Sequence, residues 1–152
     1  MKKRTKTILA IIIIGIIAAG VVFYIATKKP ATSEDSKPVA AFTSSDLIQQ
    51  LEKDSAVSKK YMFQNIGVEG VVKEVNQKDH SIILDAGESS YINCSFDSTA
   101  FEKCKASFAE GKNTKIKGIY FAFDKTEDDG MGLIPVEKTA YLRTCFINNN
   151  NQ

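Results

Sequence analysis

Residues 66–75 read IGVEGVVKEV, and this stretch decides the fold. Apolar or small residues recur at every second position from Ile66 to Val72. A period of two is typical of a β-strand with one buried face. Two glycines inside it, Gly67 and Gly70, indicate bulges or tight coiling. The stretch therefore predicts a long first strand that curves in the way a small barrel requires.

Four further strands are predicted downstream, each bounded by turn residues. They are 81–85 (SIILD), 90–96 (SYINCSF), 114–123 (TKIKGIYFAF) and 139–147 (TAYLRTCFI). Polar turns at 77–80 and 86–88 join the first three strands, so these strands are expected to be neighbours.

Two helices are predicted, one before the first strand and one after the third. Residues 43–58 begin with a capping Thr43 and carry an apolar stripe that includes Leu47 and Leu51. Residues 98–109 form the second helix, and Gly111 suits the left-handed position that follows a helix. With its five strands, this order matches the OB-fold, a mainly β Greek-key barrel with a helix between strands three and four. A small α+β sandwich with the same elements is the alternative.

Residues 8–26 (ILAIIIIGIIAAGVVFYIA) contain no charged residue and no proline. As a helix they would span about 28 Å, close to the thickness of a bilayer core. This stretch predicts one transmembrane anchor ahead of the barrel. A cleaved signal peptide is the alternative because Ala18 and Gly20 have small-x-small spacing, although the apolar residues 21–25 extend beyond that site.

The flanking charges predict the orientation of the anchor. Four basic side chains precede it and two follow it closely: Lys2, Lys3, Arg4 and Lys6, then Lys28 and Lys29. Since the more basic flank stays in the cytoplasm, residues 1–7 are predicted inside and the rest outside the cytoplasmic membrane. A linker is predicted at 27–40, the folded domain at 41–147 and a disordered tail at 148–152.

The charge of the domain differs from that of the whole chain. The whole chain has a net charge of +2, but beyond Pro30 there are 14 Lys and Arg against 18 Asp and Glu, a net of about −4. Affinity for nucleic acid depends on clustered Lys and Arg. The balance therefore argues against a nucleic-acid partner.

Several short segments of the chain resemble the tRNA-anti-like family of OB-fold proteins, small membrane-anchored or secreted bacterial domains. The matching segments are 41–43 (AFT), 68–72 (VEGVV), 92–96 (INCSF), 110–112 (EGK), 116–119 (IKGI) and 142–147 (LRTCFI). The resemblance implies an OB-fold over roughly 42–147, and nucleic-acid binding only by analogy of fold.

The family also bears on the three cysteines, Cys94, Cys104 and Cys145. Members often carry a cysteine where this chain has Tyr120, so the disulfide between strands four and five is absent. Strands three and five are neighbours in an OB barrel, which makes Cys94 the expected partner if Cys145 is oxidised. Cys104 remains an alternative partner, and burial of all three as small apolar residues is the other interpretation.

Aromatic and basic side chains on the strands give the clearest indication of binding, because aromatic rings on OB strands stack on ligands. The candidate ligand-binding residues are Tyr91, Tyr120, Phe121, Phe123, Lys73, Lys78 and His80. Tyr120 and Phe121 must face opposite sides of their strand, so some of these rings are expected in the core.

No catalytic or metal-binding pattern emerges from the sequence. His80 is the only histidine and lies in a predicted turn, where a solvated role is the simple interpretation. The acidic segment 124–130 lacks the spacing of a calcium loop, and no nucleophile–base pair or phosphate-binding loop is present. We therefore expect neither catalysis nor a cofactor.

Together these features predict a non-enzymatic, membrane-anchored OB-fold module outside the cytoplasmic membrane. Its expected partner is a protein, peptide or glycan of the cell envelope. A single-stranded nucleic-acid-binding OB protein is the alternative, and a purely structural envelope protein is a third interpretation.

Overall fold

A computed structural model describes residues 36–126 and 136–148. Its elements, in chain order, are β1 (Ala40–Thr43), α1 (Ser44–Lys53), α2 (Ser55–Tyr61), β2 (Asn65–Asn76), β3 (Ser81–Asp85), β4 (Ser90–Ser95), α3 (Ser98–Cys104), a 3₁₀ turn (Lys105–Ser107), β5 (Asn113–Lys125) and β6 (Lys138–Ile147).

Five of the strands close into a barrel in the order β2, β3, β4, β6, β5, and β5 pairs back onto β2. The β4–β6 pair is parallel and the other four pairs are antiparallel. A closed five-stranded barrel with a helix between its third and fourth strands is the OB architecture. The predicted barrel is confirmed, and the sandwich alternative is excluded by the closure.

β2 is long enough to pair with two other strands of the barrel, one along each half of its length. Its first half, Asn65–Val71, pairs with β5 and its second half, Val71–Asn76, pairs with β3. Of the predicted bulges or tight coiling at Gly67 and Gly70, no bulge lies at either glycine, because the register against β5 is regular from Asn65 to Val71 and the register against β3 shifts between Val72 and Glu74. Gly70 instead makes room for the start of α1, because a Cβ at this position would lie 2.8 Å from Ser44 Oγ.

The barrel interior is filled by strand residues that alternate inward. Fully buried side chains include Ile66, Ile82, Leu84, Ile92, Ile116, Tyr120 and Leu142. α1 adds Leu47, Ile48 and Leu51 to the same core. Burying each such aliphatic side chain contributes about 1.5–3 kcal/mol, and α1 is therefore an integral part of the domain.

The single predicted helix over 43–58 is wrong, because two helices occupy this region. The backbone of Asp54 is extended, with φ −143°, which ends α1. Its carboxylate then accepts a hydrogen bond of 2.8 Å from the Ala56 N–H and so caps α2. An aspartate that restarts a helix is hard to distinguish in sequence from one on a helix surface.

The domain also begins earlier than position 41. Residues 40–43 form β1, which pairs in parallel with 66–69 of β2. Ser36 already contacts the barrel, since its hydroxyl accepts a 2.8 Å hydrogen bond from Asn65 Nδ2. The last residues of the predicted linker therefore belong to the folded domain.

The predicted anchor at 8–26 and most of the predicted tail lie outside the described residues. A search of residues 36–126 and 136–148 for a helix long and apolar enough to cross a membrane finds none.

Candidate ligand-binding groove

The outer face of β2, β3, β4 and β6 carries a groove of about 330 Å³. We call it the tyrosine groove, and its lining residues are Lys73, Glu74, Ile83, Tyr91, Asn93, Glu137, Thr139 and Tyr141. They combine aromatic rings with an amide, a hydroxyl and three charged groups.

Alternation along β4 places two of these side chains in the groove. Ile92 and Cys94 are fully buried in the core. Since neighbouring residues of a strand face opposite sides, Tyr91 and Asn93 face outward.

The register of the barrel brings residues from other strands to the same place. Asn93 lies opposite Ile83 on β3 and opposite Tyr141 on β6. Tyr91 lies opposite Thr139. The two tyrosines are therefore diagonal neighbours on adjoining strands, with Asn93 beside both of them.

Lys73 is held against one of these rings. Its ammonium lies 3.9 Å from the centroid of Tyr91, a cation–π distance. Its contact with the side chain of Tyr91 raises the pKa of Lys73, and the charges of Asp85 and Glu137 add to that effect. The Lys73 ammonium lines the groove and is already paired with the Tyr91 ring.

Asn93 presents a polar atom that the described residues leave unsatisfied. Its Oδ1 is buried and has no hydrogen-bond partner among them. A buried amide oxygen without a partner loses about 1–3 kcal/mol relative to water.

The balance of charge in the groove is acidic. Glu74 and Glu137 line it together with Lys73 as the one cation. A phosphate would meet more negative than positive charge here, whereas hydroxyl and amide donors would find acceptors. The groove suits an uncharged ligand that is rich in donors.

Two of the predicted ligand-binding residues, Tyr91 and Lys73, lie in this groove, but Tyr120 does not. Tyr120 is fully buried, and its hydroxyl lies 2.8 Å from Ser58 Oγ. Burial raises the pKa of Tyr120, against the opposing effect of that hydrogen bond. Its assignment as a ligand-facing ring is therefore corrected to a core residue that ties β5 to α2.

The other two predicted rings on β5 have separate positions. Phe121 lies on the outer surface, with the Arg143 guanidinium 3.6 Å from its centroid and the Phe63 ring 6.0 Å away. Phe123 is half-buried and packs against the core. Neither lines the tyrosine groove.

Lys78 and His80 lie at the β2–β3 turn, also away from the groove. Lys78 is exposed. His80 has a left-handed backbone, with φ +49°, and its half-buried ring lies 5.5 Å from that of Phe101 on α3. The simpler interpretation of His80 as a solvated residue is incomplete, because its ring packs on α3.

The sequence prediction missed Tyr141, Asn93 and Thr139. The alternation in TAYLRTCFI contained the necessary indication, since an inward Leu142 requires an outward Tyr141 and an outward Arg143. Glu137 could not have been found in this way because it precedes β6.

The three cysteines are free thiols in this structure, and Cys94 and Cys145 are fully buried. Burial raises the pKa of Cys145 well above its ordinary value, and a hydrogen bond with Cys94 adds to the effect. The two thiols are thus close neighbours in the core, and the disulfide between them stays a prediction. Half-buried Cys104 points its Sγ at the Ala100 carbonyl, 2.9 Å away.

Within the described parts of the chain, no cluster of three or more His, Cys, Asp or Glu side chains could hold a metal ion. Most of the acidic segment 124–130 lies outside those parts.

The barrel topology and the groove on its outer face define an OB-fold domain with the form of a binding module. The family model tRNA_anti-like matches residues 1–129 of the chain. The chain belongs to this tRNA-anti-like family, as its short motifs predicted.

One solved structure that is similar to the chain is described as "a putative aspartyl-tRNA synthetase from Leishmania major Friedlin". The two share 11% identity with a TM-score of 0.37, over 86% of this chain and 25% of that one. This likeness is too slight to support a function, and the chain spans only a quarter of that protein. No curated protein sequence matches the chain.

Proposed function

We propose that this chain is a non-enzymatic, membrane-anchored OB-fold module that binds a glycan in the tyrosine groove, outside the cytoplasmic membrane. The observation that carries this proposal is the composition of the groove. Two tyrosines flank an asparagine, and two carboxylates line the same groove.

Each component of the groove suits a sugar chain. Tyr91 and Tyr141 offer rings on which the apolar face of a sugar can stack. The carboxylates of Glu74 and Glu137 accept hydrogen bonds from hydroxyl groups, and the Asn93 side chain lies between the two rings. OB-folds are known to bind oligosaccharides as well as oligonucleotides on this kind of face.

The proposed membrane anchor and its orientation in the membrane are inferred from the sequence. Residues 8–26 are long and apolar enough to span a bilayer, and the basic residues before them favour an inward N-terminus. The module would then meet glycans of the cell envelope.

Titration of the purified full chain in detergent with oligosaccharides released from the envelope tests the groove. Tyr141→Ala and Asn93→Ala should each weaken binding by about tenfold, the equivalent of one lost stacking or hydrogen-bonding contact. Lys78→Ala is the control, because Lys78 is exposed but lies outside the groove, and it should leave binding unchanged. A loss from Lys78→Ala as large as that from Tyr141→Ala, or none from Tyr141→Ala, would reject the groove as the glycan site.

A single-stranded nucleic acid is the second candidate ligand, and Arg143 favours it. Its guanidinium lies over Phe121, two residues along β6 from Tyr141 and on the same face. The surface beside Tyr141 therefore offers a further aromatic ring, that of Phe121, and a guanidinium that could contact a phosphate.

Salt dependence distinguishes the two candidates. A nucleic acid held by phosphate contacts should lose affinity steeply between 50 and 200 mM salt, about tenfold or more for two or more contacts. Binding of a neutral glycan should change little. Tight, salt-sensitive binding of a fluorescent oligonucleotide that is lost in Arg143→Ala would replace the glycan proposal.

A further inference from the structure

Three exposed apolar side chains gather at one end of the barrel. Val39 is 62% exposed, Phe63 60% and Met62 37%. Among the described residues, the only other large apolar side chain so exposed is Val71, at 43%, which lies midway along β2.

Backbone hydrogen bonds place this cluster at the start of β2. The Val39 N–H donates to the Asn65 carbonyl at 2.8 Å, and the Phe63 N–H donates to the Tyr120 carbonyl at 2.8 Å. Val39 and Phe63 therefore flank the residues where β2 begins.

The fold holds Phe63 outward at some cost. Its φ is +60°, in the left-handed region that a bulky side chain rarely adopts. Its ring makes an edge-on contact with that of Phe121. An exposed aromatic residue held in an unfavourable backbone conformation indicates a functional surface.

Cations surround the cluster. Within segments 36–39 and 59–64 there are three lysines and no carboxylate. Lys59 and Lys60 form the last turn of α2, directly before Met62, and Lys37 lies just before Val39. All three are exposed.

The chain enters the domain at this same end. Ser36 is tied to Asn65 by its hydroxyl and to Lys117 by its carbonyl, which lies 3.1 Å from the Lys117 ammonium. Nine residues, 27–35, separate Ser36 from the apolar stretch 8–26. Fully extended, they span at most about 30 Å, so an anchor in the membrane keeps this end of the barrel near the surface.

We propose that this end, made of 37–39 and 59–63, docks on an anionic phospholipid bilayer. The apolar side chains enter the interfacial layer, and the lysines contact the headgroups. The inference goes beyond the glycan proposal and rests on the proposed anchor only for the proximity of the membrane. Docking would fix the tilt of the barrel and keep the tyrosine groove, on other strands, open to ligand.

Tryptophan fluorescence tests the docking in the full chain, which contains no native tryptophan. Phe63→Trp and Val71→Trp each give a single reporter at an exposed apolar site, one inside the proposed contact and one outside it. Both are reconstituted into vesicles of phosphatidylglycerol and phosphatidylcholine with brominated acyl chains. Bromine should quench the reporter of Phe63→Trp at least about twofold more than that of Val71→Trp, because only the first would sit in the interfacial layer.

Charge supplies the second part of the test. With Lys59→Glu and Lys60→Glu added, or in pure phosphatidylcholine, the equilibrium constant for docking should fall, by about fivefold for each lysine charge removed. Equal quenching of both reporters, or quenching that ignores lipid charge, would overturn the proposal.

The outcome also separates docking from anchoring. If the chain stays bound to vesicles during a urea wash but the Phe63→Trp reporter is not quenched, the proposed anchor is supported and docking is wrong. If that reporter is quenched but urea strips the chain from the vesicles, docking stands and the anchor is wrong.

Discussion

Gly118 occupies a point at which β6 approaches β5 too closely for any side chain. A Cβ on it would lie 2.6 Å from Cys145 Sγ and 3.1 Å from the Arg143 carbonyl. We expect Gly118→Ala to destabilise the domain by about 1–3 kcal/mol, the usual cost of overpacking. Urea unfolding followed by circular dichroism measures it.

Gly67 provides the matched control. A Cβ there would meet Pro38 and Ala41 at 3.4–3.6 Å, an ordinary contact distance. Gly67→Ala should therefore be neutral or stabilise by up to about 1 kcal/mol, since alanine restricts the unfolded chain. A cost for Gly118→Ala no greater than that for Gly67→Ala would contradict the close approach.

The buried thiol of Cys145 predicts a loss of stability in alkaline solution. Burial keeps its pKa well above the ordinary value, so the folded state retains a proton that the unfolded chain releases. Stability is complete below the pKa of the unfolded thiol, about 8.5, and then declines by at most about 1.4 kcal/mol per pH unit. Urea unfolding under reducing conditions from pH 7.5 to 9.5 should show this decline.

Cys145→Ala should flatten the decline, although it lowers stability at every pH by leaving a cavity. Cys104→Ala removes a half-buried thiol instead and should keep the wild-type slope. The same slope in all three proteins would show that Cys145 is not the group responsible.

Single residues also show where sequence reasoning reached its limit. The sequence established that Tyr120 and Phe121 face opposite sides of one strand, but both are aromatic and either could have faced inward. The answer depends on two register shifts against β6, one before this pair, between Lys117 and Ile119, and one at Phe121, between Tyr120 and Ala122. Such shifts arise from packing with β6 and leave no local pattern.

At the level of elements, the break between α1 and α2 depends on Asp54. Its carboxylate caps α2 through the Ala56 N–H. Asp54→Ala should cost about 1 kcal/mol, whereas Asp54→Asn, which retains a capping oxygen, should cost only a few tenths. Thermal unfolding of the two variants decides this, and an equal loss in both would point to charge rather than capping.

The strands could be predicted well because each has a clear period of two and polar turns at its ends. β3 spans the predicted residues 81–85, and β4, β5 and β6 differ from prediction by one or two residues at an end. β1 could not be predicted, because four residues carry too little pattern and its parallel pairing with β2 is a tertiary contact. The groove was predicted only in part for a similar reason. Tyr91 and Lys73 were predicted because they are aromatic and basic residues on strands, but only the strand register shows that Asn93 and Tyr141 lie beside them.

On the scale of the whole molecule, the glycan proposal depends on which side of the membrane the barrel lies. The burial of the cysteines allows a direct test, because Cys94 and Cys145 are fully buried and should not react in the folded chain. With Cys104→Ser added, Lys78→Cys places one reactive thiol in the exposed β2–β3 turn. Lys6→Cys places one in the predicted cytoplasmic tail.

We expect a membrane-impermeant maleimide to label the Lys78→Cys protein in intact cells and the Lys6→Cys protein only after lysis, because the four basic side chains before residues 8–26 favour an inward N-terminus. The reverse pattern would put the barrel in the cytoplasm, where glycans of the envelope are out of reach and the nucleic-acid candidate would lead. A Lys6→Cys protein that stays unlabelled even after lysis, with the Lys78→Cys protein labelled outside, would mean that the N-terminal segment is cleaved. The barrel would then meet the membrane without a tether, and only its exposed apolar end could hold it there.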